Sequence, residues 1–188
     1  NLIMINEVIE ETRDRMGKTQ KAFVKEMAKV RTGRASQSML DSVKVDYYGT
    51  QTPLPQMATV SIPESRLITV KPWDISVINS VEKAILKANL GLTPSNDGKL
   101  IRISIPPLTE ERRKDIAKNV SKICEEYKVA IRNVRRDSND MLKELQKDGE
   151  ISEDDSFKAQ KQVQELTDEY IQRLDDIFAE KEKEILEI

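Results

Sequence analysis

Histidine is absent from this chain of 188 residues. That removes the commonest general base, the His-based nucleophile triads and the usual zinc ligand sets. A single cysteine, Cys124, cannot close an internal disulfide and fits a reducing compartment. It falls near the apolar seam of a helix, where a free thiol behaves as a packed small hydrophobe. Aromatic residues make up only 4% of the chain and glycines number six. With 34% charged residues, that composition favours long helices carrying surface ion pairs. No hydrophobic run is long enough to span a bilayer, so no membrane partner is expected. The first turn lacks the apolar region and small-residue cleavage site of a secretory signal, so a cytoplasmic protein is expected. Met4 is the expected natural start, with Asn1-Leu2-Ile3 an upstream remnant.

Catalytic constellations are missing as well. Thr32-Gly33-Arg34-Ala35-Ser36 has one glycine and no following lysine, so it cannot cradle phosphates as a P-loop does. Asp154-Asp155 and Asp175-Asp176 are neighbours within helical segments and do not face each other, which suits solvated or capping roles. Trp73, beside Pro72, is expected to pack at the edge of a small domain rather than to stand out as a recognition aromatic. The chain is therefore not expected to be an enzyme, and no cofactor or metal is expected.

What is present is helical periodicity, interrupted once. Ile5, Ile9, Thr12, Met16, Thr19, Phe23 and Val30 recur at near-heptad spacing, which predicts an amphipathic helix over 4–31. Gly33 is expected to supply its left-handed cap. The period then changes. Val43–Tyr47 alternates as a strand does, and Ala58–Ile62, Leu67–Val70 and Leu100–Ile105 are further β-branched runs. Val77–Leu90 predicts a short helix with Ile78, Val81, Ile85 and Leu86 buried and Gly91 as its cap. Pro94–Gly98 reads as a turn cluster. Pro106-Pro107 closes the insert, since neither proline can extend a ladder. Thr109 can cap a long helix whose seam runs Ile116, Val120, Ile123, Tyr127, Ala130, Val134, Met141 and Leu145, until Gly149. Ser152 with Asp155 resembles a capping box for a final helix bearing Val163, Leu166, Tyr170, Leu174, Ile177 and Ile185.

Three amphipathic helices cannot bury their stripes singly. Joining them is the main driving force, at roughly 1.5–3 kcal/mol for each buried aliphatic side chain. The expected fold is α+β: a long three-helix bundle formed by 1–33 and 107–188, discontinuous in sequence, with a small α/β domain inserted at 34–106. The two crossings, Thr32, Gly33, Arg34 and Ala35 on one side and Pro106 and Pro107 on the other, are the expected hinge.

One stretch stands out on the third of these segments. Arg132, Arg135 and Arg136 lie at i, i+3 and i+4 and share one flank of the helix, which Asn139 extends. The chain is net −2, yet residues 108–136 hold 9 basic and 5 acidic side chains while 148–188 hold 5 and 14. Arg31 and Arg34 add two cations at the end of the first helix. Two readings compete: pairing with the acidic last helix, or recognition of a polyanion such as RNA. Surface ion pairs are weak and do not require arginine over lysine, which favours the polyanion.

Several motifs resemble the bacterial ribosome recycling factor family over essentially the whole chain from Met4. They are Val30–Ser36, Tyr47-Tyr48-Gly49-Thr50, Pro107–Lys114, Arg132–Asp137 and Glu150–Asp155. Gln51 and Ser104 depart from the family pattern. The resemblance implies an L-shaped, monomeric translation factor. Such a factor binds the post-termination ribosome and, with elongation factor G hydrolysing GTP, separates the subunits. It also implies that Arg132, Arg135, Arg136 and Arg31 lie against RNA of the large ribosomal subunit. The alternative from another class is a helical adaptor or chaperone-like module whose arginines meet a protein.

Overall fold

A computed structural model describes residues 1–187. The chain forms two compact units, one of Asn1–Val30 with the segment from Glu110 onward and one of Arg31–Thr109.

The first unit is a bundle of α1 (Leu2–Ala28), α3 (Glu110–Lys147) and α4 (Glu153–Leu186), separated in sequence by a short helix α2 (Ile78–Lys87) that belongs to the second unit. In each bundle helix one line of buried positions recurs every eleven residues: Ile5, Met16 and Met27; Val120, Ile131 and Leu142; Val163, Leu174 and Ile185. Eleven residues in three turns is 3.67 per turn, close to the 3.6 of a straight helix. Within the expected α3 seam, Val120, Tyr127, Val134 and Met141 are spaced by seven; that spacing drifts off the eleven-residue line, and Met141 is exposed while Leu142 beside it is buried. Cys124 lies inside the same core, and burial pushes its thiol pKa up. The buried hydroxyls of Thr12, Ser138 and Thr167 are matched. Thr12 donates to the Val8 carbonyl at 2.7 Å and shares a hydrogen bond with Ser138, and Thr167 donates to the Val163 carbonyl at 2.8 Å.

The helix ends follow local chemistry. At the end of α3, Gly149 N–H reaches the Gln146 carbonyl and Glu150 N–H the Leu145 carbonyl, a Schellman arrangement with Gly149 at its left-handed position. Ser152 Oγ accepts from Asp155 N–H at 3.0 Å and starts α4. At the other end of the bundle, α1 stops three residues short of the expected position, with Lys29 as its right-handed cap. Gly33 does take φ +78°, but in the connection after the helix rather than at its cap.

The second unit is built on a four-stranded antiparallel sheet, β3 (Ala58–Glu64), β4 (Leu67–Pro72), β6 (Ile101–Ser104) and β5 (Thr93–Asn96) in that spatial order. A hairpin of β1 (Lys44–Tyr47) and β2 (Thr50–Pro53) lies beside it, and α2 packs on β1 and β5. Leu40, Leu54, Ile68, Val70, Val81 and Ile103 lie at its core. One element was not foreseen here and three expectations fail, each for a local reason. The hairpin turn is Tyr48-Gly49, with Tyr48 itself at φ +49°, so β2 lacks the Asn-Gly or Asp-Gly signal that announces such turns. The left-handed residue that ends α2 is Asn89, not Gly91. Leu86 lies on the exposed side of α2. Pro94 sits in β5, which is an edge strand and can do without the proline's missing N–H; the turn follows at 97–99.

Both chain crossings are clipped to one turn. Ala35 N–H donates to the Ser65 carbonyl at 2.7 Å, and Ile105 N–H to the Arg66 carbonyl at 2.8 Å. A Cβ built on Gly33 would stand 3.3 Å from Leu108 Cγ, at a backbone angle that L side chains rarely adopt. Gly33→Ala is therefore expected to destabilise the second unit by about 1–2 kcal/mol. A urea titration followed by the fluorescence of Trp73, which lies in that unit, measures it; an unchanged midpoint would show that the connection relaxes without strain.

Candidate nucleic-acid interface

The helical period of α3 sets the candidate interface. Ile131, Val134, Ser138 and Leu142 face the core, and Arg132, Arg135, Arg136 and Asn139 run along the flank beside them. Arg132, Arg135 and Asn139 are half-buried, and Arg136 is exposed. A half-buried arginine can cover its aliphatic stem and keep its guanidinium in water, which limits side-chain freedom without removing the charge from reach.

The electrostatics along this flank differ from residue to residue. One turn earlier, Lys128 is bound to Asp175 of α4 and to Glu125, and the bond to Asp175 chiefly holds its pKa above the ordinary lysine value. Its charge is matched inside the bundle. On the other side, Asp137 binds Arg15 of α1 at 2.9 Å and so turns away from the arginines. Among the described residues, Arg132 and Arg136 make no ion pair and no side-chain hydrogen bond. Arg135 donates to Gln164 Oε1 at 3.2 Å, and Gln164 donates in turn to Asp168 at 2.9 Å. The amide orients the guanidinium without cancelling its charge. The acidic last helix therefore does not neutralise the stripe, which was the competing reading. Three cations on about one and a half turns, with open donor forks, suit the bidentate recognition of phosphate oxygens.

Asn139 carries a buried Oδ1 without a hydrogen-bond partner. Arg31 is exposed, belongs to the second unit and makes no ion pair among the described residues. Thr32, Gly33, Arg34 and Ala35, with Pro106 and Pro107, lie in irregular segments at the two ends of that unit.

One side chain expected to pack stands outward, and a second aromatic lies near it. Trp73 is 66% exposed, held by its Nε1–H donating to Thr59 Oγ1 at 2.9 Å. Tyr48, also exposed, donates its hydroxyl to Asp74 at 2.9 Å. Hydrogen bonds from Ser76 and then from Tyr48 hold the Asp74 carboxyl below its ordinary pKa. The hairpin and the end of β4 place both rings outward, which short runs around Pro72 could not reveal.

Comparison with known proteins gives a consistent result. The family model described as ribosome recycling factor matches residues 23–186. The ribosome-recycling factor of Desulforapulum autotrophicum is 70% identical over 185 residues, covering 98% of this chain and all of the relative. That of Bacillus licheniformis is 54% identical over 185 residues, again covering 98% of this chain and all of the relative. A solution structure of a ribosome recycling factor superposes with a TM-score of 0.76 at 38% identity, covering 98% of both chains. A second solved structure shows the Thermus thermophilus factor with the Escherichia coli elongation factor G on an E. coli post-termination complex. It gives a TM-score of 0.63 at 45% identity and covers 97% of this chain and 99% of its own.

Proposed function

Because this chain belongs to the ribosome recycling factor family, we propose that Arg132, Arg135 and Arg136 form the face by which it grips RNA of the large ribosomal subunit. The protein is a translation factor that recycles ribosomes and performs no covalent chemistry of its own. It acts on the post-termination ribosome with elongation factor G, whose GTP hydrolysis drives separation of the subunits. The observation that carries the arginine assignment is the open charge of Arg132 and Arg136, set beside Lys128 and Arg15, which are both matched by carboxylates. Arg31 is an additional phosphate contact, and Asn139 supplies a polar group at the end of the stripe.

The segments containing Thr32, Gly33, Arg34, Ala35, Pro106 and Pro107 act as the hinge between a bundle domain and the inserted domain. In support, Ala35 and Ile105 both hydrogen-bond to the Ser65-Arg66 turn, which leaves few residues free to absorb backbone rotation. Distances between spin labels on the two domains should broaden or shift when elongation factor G and ribosomes are added. One sharp, unchanging distance would remove the hinge.

The RNA contact is tested by co-sedimentation with isolated large subunits across a salt series. Neutralising three or four phosphates should give a log–log slope of roughly −2 to −3. A flat salt dependence would place the binding energy elsewhere.

A further inference from the structure

Charged side chains on the bundle commonly meet a partner one turn away. Arg13 binds Glu10, Lys18 binds Asp14 at 3.1 Å, and Lys158 binds Asp154 at 3.1 Å. Other carboxylates on the bundle, Glu26 and Glu165 among them, lack an ion pair among the described residues; Glu7, Glu11 and Glu144 lack one while standing together around one groove. All three are exposed. They rim a groove of about 380 Å³ between α1 and α3. Its floor is apolar, made by Met4, Val8, Met141 and Leu145. Glu7 and Glu11 stand four apart on one helix, a like-charge spacing that is mildly destabilising, and among the described residues no ion pair joins either to a cation.

An apolar floor with a carboxylate rim selects its occupant by chemistry. Phosphate is repelled, so the groove is unsuited to RNA. We propose that it docks a cationic amphipathic helix of a partner protein, apolar side chains on the methionine floor and lysines or arginines against Glu7, Glu11 and Glu144. Methionine is the side chain that best moulds itself to a partner of variable shape. A second copy of this chain fits poorly. Its open cationic flank at Arg132 and Arg136 offers one exposed large hydrophobe nearby, Val129, against a floor of four apolar side chains.

The chain has six methionines, which makes the groove directly observable. Full-length protein carrying ¹³C-methyl methionine is titrated with a synthetic leucine–lysine amphipathic peptide. The Met4 and Met141 methyl signals should shift and saturate, while Met39 and Met57 of the second unit should not move. The combined change Glu7→Gln, Glu11→Gln and Glu144→Gln should weaken binding at least tenfold. Met141→Gln should weaken it severalfold with all the carboxylates intact. The control Glu165→Gln, Glu180→Gln and Glu182→Gln on α4, equal in charge, should leave binding within twofold. Circular dichroism verifies that each variant keeps its helix content. The proposal is overturned if the two methyls do not move. Equal weakening by both triple changes would mean that net charge alone attracts the peptide, and would overturn it too. So would a single-stranded RNA that shifts Met4 and Met141, or a concentration-dependent dimer in sedimentation that accounts for their shifts.

Discussion

Replacing Arg132, Arg135 and Arg136 together by alanine is expected to weaken binding to the large ribosomal subunit by about a hundredfold at moderate salt. Each lost charge-assisted contact is worth about 1 kcal/mol where solvent competes, and 1.4 kcal/mol is a factor of ten. The log–log salt slope should fall in magnitude by about 2, since three phosphates are no longer neutralised. The thermal melt should hardly change, because Arg132 and Arg136 bind nothing inside the bundle and Arg135 only a glutamine. The all-lysine version separates charge from geometry. Lysine keeps the cation and should restore the slope. It cannot reproduce a planar two-pronged contact, so affinity should return only in part. A sharp drop in melting temperature with normal binding would instead make the stripe a structural device.

The second large effect is on stability. Phe23→Ala should destabilise the bundle by about 3–5 kcal/mol, a large share of the roughly 5–15 kcal/mol that holds a domain together. Phe23 is fully buried between the helices, its ring 5.1 Å from that of Tyr127. Removing it leaves a cavity that α1, α3 and α4 cannot close without disturbing their eleven-residue lines. The single tryptophan makes the outcome informative about organisation, since Trp73 lies in Arg31–Thr109. Helix signal in circular dichroism should be lost at a much lower temperature. The Trp73 fluorescence transition should stay where it was if the two units are independent domains. If both transitions fall together, the chain melts as one block and the two-domain reading is wrong.

The three long helices were legible because amphipathic stripes of more than twenty residues leave little ambiguity, and Ser152 and Gly149 mark their ends chemically. The error lay in the period. Seven residues fall about 20° short of two turns of a straight helix, and the shortfall accumulates along α3 until Met141 stands where Leu142 was required. Short elements were harder. Asn89 and Tyr48 adopt left-handed backbones that glycine would be expected to take, so glycine-based reading put the α2 cap two residues late and missed the β1–β2 hairpin. Pro94 is tolerated in a strand only because that strand is at an edge, which depends on sheet order and hence on the whole unit. The arginine cluster itself could be read from spacing alone. Which of its neighbours were already matched could not, because Asp175, Asp137 and Gln164 approach from other helices or turn towards them.

The division of the bundle between the two ends of the chain has a consequence during synthesis. α1 is complete at Ala28, but α3 begins only at Glu110. At about 5–20 residues per second, the intervening segment takes several seconds to emerge. Throughout that interval Ile5, Met16, Phe23 and Met27 have no partner helix to cover them. The inserted unit, by contrast, contains every residue of its own core and can close as soon as Ile105 has appeared. α3 and α4 then form a hairpin from neighbouring segments, and their shared groove becomes the template onto which the waiting first helix is finally laid. The nascent chain therefore matures from its middle, then its end, and last of all its beginning.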